Sequence, residues 1–336
     1  MFSIADFDDA RMDDRDVLAR HDDALRQLAL AGAHIRVESA AAESCRLDAE
    51  LRPRGIVLAG HGSRLIRSAA ETTCPAPLVA WPHAGLPGWA GPLDLVVVQA
   101  SGGPAGSLVS TVVEASRRGC SLVVAAPAAG MVAEHVPARD VLIPTTTDDP
   151  VAAIVALLGL LSRIGLMPAV HAESVADAAD MVAEQCSPHK DLSVNPAKAQ
   201  AIALADGLPL VWGGSMLAAR AARRVAEELR RMTGRPALAT PAEDIASMLA
   251  TASPRDPFAD PVDEGLRPVL VTLDDGDDDV PTAQTRATLE DIAASQQVRV
   301  VNLQCDDDAG PIGRHVSLQQ QGFYMAAYLA VGLDRL

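Results

Sequence analysis

The sequence predicts an α/β protein of two tandem doubly wound domains, each a parallel sheet flanked by helices. Three observations carry that expectation. At 336 residues the chain is long enough for two domains of roughly 150 residues, each with its own core. Short β-branched runs alternate with segments of helical periodicity, as βαβ units require. The order strand, glycine turn, helix, strand occurs in both halves, although no repeat is visible at the level of residue identity.

In the first half the strands are GIVLAG (55–60), LVAW (78–81), DLVVVQASGG (94–103), CSLVVAA (120–126) and the short edge element VLIP (141–144). A helix over 108–119 stops at a glycine, as helices often do. Residues 151–165 read as one well-buried helix. The stretch 168–190, helical around 174–185, ends in the polar CSPHKD and reads as the connection between domains. The pattern then restarts. NPAKAQAIALADG is a helix closed by Gly207, LPLVWGGS a strand and turn, and 216–233 a long Ala/Arg/Glu helix closed by Gly234. Two strands follow, RPVLVTL (267–273) and VRVVNL (298–303), and then a largely apolar helix over 318–333. The expected boundaries are thus a first domain over 1–170 with an acidic helical segment at about 1–50, a linker over 171–192, and a second domain over 193–336.

Composition narrows the partners. Hydrophobic residues make up 49% but aromatics only 3%, so Ala, Val and Leu do the packing, which suits helices set closely on a parallel sheet. A formal net charge of -16 repels phosphodiester backbones and anionic headgroups, so neither nucleic acid nor membrane surface is expected as a partner. A small phosphorylated ligand remains compatible, because a local site can be positive on a negative protein. The 5 cysteines are odd in number and never at CxxC spacing, which argues against a disulfide framework or zinc site and for a reducing compartment. The acidic start has no apolar signal region. The longest apolar run, 151–161, is short of the ~20 residues that span a bilayer. A cytoplasmic protein is expected.

The glycine turns are the candidate sites, because doubly wound folds bind ligands at the carboxyl ends of strands. Gly60-His61-Gly62-Ser63 has only part of a dinucleotide fingerprint and no acidic ribose partner, so no NAD is expected. No GxxxxGK[ST] occurs. Ser101-Gly102-Gly103-Pro104-Ala105-Gly106-Ser107-Leu108 offers backbone N–H groups at a helix start with a hydroxyl on each side, which is either a phosphate cradle needing no lysine or a tight turn. Thr145, Thr146 and Thr147 offer hydroxyls to a phosphate or form a plain turn. The aspartate runs 273–280 and 305–310 lack EF-hand spacing and read as solvated turns. No histidine has ligand spacing to another His or Cys, so no metal is expected, and no GxSxG elbow is present.

Several of these stretches resemble the bifunctional phosphoglucose/phosphomannose isomerase branch of the sugar isomerase (SIS) superfamily. Gly60–Ser63 stands where that family has GMGGSA. Residues 99–108 stand where it has SYSGNTEETL, keeping Ser101, Gly102 and Leu108, with Ser107 for a threonine. Asn195-Pro196-Ala197-Lys198 is similar to its N-x-A-K. Val211-Trp212-Gly213-Gly214-Ser215 and the helix after them resemble its strand, turn and long helix, which makes Gly213, Gly214 and Ser215 further ligand-binding candidates. The resemblance implies two SIS-type domains, aldose–ketose isomerisation of a sugar phosphate, no cofactor and a homodimer. It implies phosphate binding at Ser63, Ser101 and Ser107 with the amides around Gly60, Gly62, Gly102 and Gly103, and a base at Glu227, seven residues after Arg220, which would orient substrate or base. A solvated salt-bridged helix face is the other reading of Glu227. His61 either replaces a missing acid–base group or caps the following helix.

Four departures weaken the catalytic expectation. The family's NHNE histidine has no counterpart in TPAEDI (240–245), and its QPRA arginine is replaced within Asp149-Pro150-Val151-Ala152. Its cradle loses a threonine and two acids to Pro104, Ala105 and Gly106, and VGLDRL ends before the family's terminal lysine helix. A positioned proton-transfer group contributes typically about 10²–10⁴-fold, so isomerase activity is expected to be weak or altered. The alternative is a non-catalytic sugar-phosphate sensor or scaffold.

Overall fold

The computed structural model describes residues 7–252, 266–276, 279–305 and 309–335; parts of both aspartate runs, 277–278 and 306–308, lie outside the described residues. The chain forms two compact units, one of Ala31–Asp177 and one of Met1–Leu30 with Ala178–Leu336. The division differs from the expected one at its start. A 3-10 turn (Asp9–Met12) and two short helices, α1 (Arg15–Arg20) and α2 (Asp22–Ala29), bury Met12, Val17, Leu18 and Leu25 in the core of the second unit. Charge patterning makes these helices look like an exposed acidic face. Their few apolar residues decide where they dock.

The first unit contains α3 (Ala31–Glu43), β1 (Ile56–Gly60), α4 (Ser63–Ala70), β2 (Leu78–Trp81), β3 (Leu95–Gln99), α5 (Gly106–Arg117), β4 (Ser121–Pro127), β5 (Val141–Thr145) and α6 (Pro150–Ser162). Its strands are all parallel, in the order β2-β1-β3-β4-β5. Every residue of β3 is buried, as a strand covered by helices on both faces must be. Each such Val contributes about 1.5–3 kcal/mol by leaving water. α6 is apolar almost all round and correspondingly buried. Asp149 caps it, accepting the N–H groups of Val151 and Ala152 at 2.8 and 3.3 Å, with Pro150 in the first turn where a missing donor is harmless. α7 (Ala172–Gln185) then leads into the second unit.

The second unit adds α8 (Pro196–Ala203), β6 (Gly207–Gly213), α9 (Met216–Thr233), β7 (Leu238–Ala239), α10 (Ala242–Ala250), β8 (Arg267–Asp274), α11 (Val280–Ser295), β9 (Arg299–Gln304) and α12 (Gly310–Gly332). Its parallel sheet runs β7-β6-β8-β9. Counted from the first strand of each sheet, both orders begin 2-1-3-4. The duplication is therefore one of topology. α9 ends at Gly234, whose φ of 64° gives the left-handed cap expected of it. Gly207 does not close α8; it opens β6, where a Cβ would fall 2.5 Å from Val269 Cγ2. α12 starts at Gly310, earlier than expected, because His315, Gln319 and Gln320 are buried along it and disguise its inward face as polar. Among the described residues no helix is long and apolar enough to cross a membrane.

Candidate functional site

In a 2-1-3-4 sheet the strand order reverses between the first and third strands, and the loops leaving their carboxyl ends part to form a crevice. In the first unit the register sets Gly60 beside Gln99 and Ala59 beside Trp81, so the loops after β1, β2 and β3 meet. Gly60 has φ 107°, and a Cβ there would fall 1.9 Å from the Gln99 carbonyl oxygen; only glycine allows that approach. Gly102 has φ 71° and sits on the next loop, where a Cβ would fall 2.8 Å from the Asp148 carbonyl oxygen. The buried Gln99 side chain ties the turns together. Its Oε1 accepts the Gly62 N–H at 3.3 Å and its Nε2 donates to the Ser101 carbonyl at 2.8 Å.

The result is a hollow of about 310 Å³ whose lining includes Gly60, His61, Ser63, Gln99, Ser101, Gly103 and Ser107. These are the residues picked out in the two turns of the first half, together with Gln99. Gly62 is buried behind this surface, and Gly102 is exposed on the neighbouring hollow. Gln99 opens the stretch that resembles the family's loop, Arg64 and Trp81 carry no motif, and His83 reads only as a loop residue; all four line the hollow. Arg64 directly follows the first turn, which is the one available signal. Its position on α4 is indistinguishable in sequence from that of any surface arginine. Trp81 and His83 meet edge to face, with centroids 5.0 Å apart at 74°.

The hollow has a clear electrostatic sense. On a chain of net charge -16, no Asp or Glu lines it, whereas Arg64, His61 and His83 do. α4 and α5 both begin at its edge, and neither has a side-chain cap. Leu65 and Leu108 N–H donate to the Gly62 and Ala105 carbonyls at 2.9 and 3.0 Å, which leaves the N–H groups ahead of them and the positive dipole ends for another acceptor. His61, offered as a cap for α4, accepts no such bond: Gly62 is the N-cap residue. Ser101 is turned inward, its Oγ donating to Thr145 Oγ1 at 3.0 Å. Ser63 is buried and Ser107 exposed at the first turns of α4 and α5.

The equivalent crevice of the second unit is built differently. The register sets Gly213 beside Leu273, and the loop after β8 brings Asp274 and Asp275 alongside the turn. Ser215 caps α9, accepting the Ala218 N–H at 2.9 Å, and donates its own proton to the Asp275 carboxylate. A Cβ on Gly214 would fall 2.1 Å from Thr282 Cγ2, and one on Gly213 2.4 Å from the Ala218 backbone. The glycines of this turn are tightly packed, its helix is capped by Ser215, and Asp274 is paired with Arg286. Arg220 is half-buried on α9. Glu227 is exposed on the same helix with its carboxylate 2.6 Å from the Arg224 guanidinium. Among the described residues no three His, Cys, Asp or Glu side chains gather into a metal-binding group.

Residues 193–335 match the model of the bacterial phospho-glucose isomerase C-terminal SIS domain. No curated protein sequence matches the chain. Among solved structures, the chain is similar to a glucose-6-phosphate isomerase like protein from Thermus thermophilus, with 17% identity over 91% of this chain and 92% of that one and a TM-score of 0.53. It is similar to tagatose-6-phosphate ketose/aldose isomerase from Escherichia coli (12% identity, 93% and 91% covered, TM-score 0.61). A third likeness is to the C-terminal domain of glucosamine-fructose-6-phosphate aminotransferase from Francisella tularensis (12% identity, 91% and 96% covered, TM-score 0.58). At these identities the likeness to solved structures establishes the fold.

Proposed function

From a chain whose second half is a SIS domain of the bacterial phosphoglucose isomerase type, and whose fold is shared with phosphosugar isomerases, we propose that the protein binds a small phosphorylated sugar in the hollow of its first unit. The observation that carries this reading is the pair of uncapped helix starts, α4 and α5, at the edge of a hollow with no carboxylate in its lining. A phosphate supplies the acceptors that both first turns lack. The Arg64 guanidinium adds charge-assisted hydrogen bonds, and Ser63 and Ser107 supply hydroxyls. The Trp81–His83 wall gives the carbon face of a sugar an apolar surface to lie against.

Isomerisation needs a base within hydrogen-bond reach of a carbon-bound proton. The acid–base groups of the hollow are His61 and His83, and Glu227 is engaged with Arg224 on an exposed helix face. The reading is therefore a sugar-phosphate-binding protein with weak isomerase activity.

Calorimetric and thermal-shift titrations with glucose 6-phosphate, fructose 6-phosphate and mannose 6-phosphate, followed by a coupled isomerase assay, test it. A ligand at 100 times its dissociation constant stabilises the fold by about 2.7 kcal/mol, an easily measured shift. Arg64→Ala is expected to weaken binding by about 10- to 100-fold, the usual loss of a charge-assisted contact. Absence of binding at millimolar concentration sinks the proposal.

A further inference from the structure

The turn that carries Ser101 and Gly102 does not hold its own shape; it rests on the loop that leaves β5. Ser101 Oγ bonds to Thr145 Oγ1 at 3.0 Å, and Gly102 lies against the Asp148 carbonyl. That loop is in turn gripped by α3. Glu38 is wholly buried, and its Oε1 accepts the N–H groups of Thr146 at 2.9 Å and Thr147 at 2.6 Å. One turn earlier on α3, His34 Nδ1 lies 3.5 Å from Asp149 Oδ2, the carboxylate that caps α6. Thr145 thus accepts the Ser101 hydroxyl, while the exposed Thr146 and the half-buried Thr147 give their backbone N–H groups to Glu38.

We infer that Glu38 is a positioning residue for the anion site, acting through the 145–149 loop; the inference rests on the function proposed above. Two adjacent amide protons at the end of a strand are an anion-binding pair. Here an internal carboxylate fills it, which has two consequences. The loop beneath Gly102 is fixed, because releasing it would leave two N–H donors without acceptors. An incoming anion also finds the Thr146 and Thr147 amides already taken and is left with the first turns of α4 and α5.

The test is a titration of the full chain and its variants with glucose 6-phosphate and with inorganic phosphate, alongside thermal unfolding. Glu38→Gln keeps an acceptor for the two amides, and its affinity is expected within about threefold of wild type, whereas Glu38→Ala should bind at least about tenfold more weakly to both probes. Millimolar formate, which fits the vacated space and accepts the same amides, should restore much of the Glu38→Ala affinity; a merely structural loss gives no such rescue. A Glu38→Ala protein that unfolds cooperatively and binds like wild type overturns the inference. Should that variant not fold, Thr145→Val decides, because it removes the Ser101 contact at nearly constant volume: weakened binding supports the inference and unchanged binding overturns it. If glucose 6-phosphate fails to bind the wild type, the anion site itself is refuted, and the positioning role falls with it.

Discussion

His315 is a fully buried imidazole on α12 whose Nδ1 donates to the Leu217 carbonyl at 3.0 Å. Burial holds its pKa at about 4 against an ordinary 6.5. The unfolded chain therefore takes up a proton that the native state refuses, and stability falls as pH drops from about 6.5 toward 4, at about 1.4 kcal/mol per unit. Burial lowers His21 in the same direction. His34, raised chiefly by Asp149, works the other way: its contribution is present at pH below 6.5 and is lost on passing above its raised pKa. Urea unfolding should show about 2 kcal/mol less stability at pH 5 than at pH 7 from His315, and His315→Gln should remove that part of the slope. An unaltered slope in the variant would locate the acid sensitivity elsewhere. Glu227 is the second residue whose role a single change decides. As one half of an exposed i, i+3 pair with Arg224, it is worth only about 0.5 kcal/mol. Glu227→Gln should then leave stability, binding and residual turnover unchanged, whereas turnover lost with binding intact would make it the base.

At the scale of elements, the least anticipated feature is how the segment 7–30 is secured. The Lys198 side chain at the start of α8 is 1% exposed. Its ammonium donates to Asp13 Oδ1 at 2.7 Å, to the Lys190 carbonyl at 2.7 Å and to the Pro188 carbonyl at 3.3 Å, and lies 5.4 Å from the centroid of the Tyr328 ring. Asp13 immediately precedes the turn into α1. Asp13 is itself 43% exposed, so water can take part of the place of its carboxylate, and Asp13→Ala should cost about 1 kcal/mol. Hydrogen exchange should show α1 and α2 opening more often than the sheet. A loss under 0.5 kcal/mol would mean that the apolar contacts of Met12 and Leu18 hold the segment alone. None of this is legible in the sequence. Asp13 lies in a run of acids, and its partner is 185 positions away. α12 is half legible, because its apolar C-terminal part has the right period and its buried glutamines and histidine do not.

At the scale of the whole molecule, two sheets of matching order carry crevices of opposite character. The sequence shows both glycine turns, and GHGS and SGGPAGS mark the ends of their strands correctly. It does not show which crevice is open. That is decided by residues arriving from other strands: Gln99 bridges the first pair of turns, whereas Asp275 takes the Ser215 hydroxyl in the second. Serine in a glycine turn can hold a ligand or cap its own helix, and only the neighbouring loop determines which. The function proposed above places an anion site in the hollow of the first unit. Its most direct test is a calorimetric titration with glucose 6-phosphate of wild type, Arg64→Ala and Ser215→Ala. The prediction is one site per chain, weakened by about tenfold or more in Arg64→Ala and unchanged in Ser215→Ala, which should lose only about 1 kcal/mol of stability with its cap. Wild-type affinity in Arg64→Ala, or binding abolished by Ser215→Ala, would contradict it.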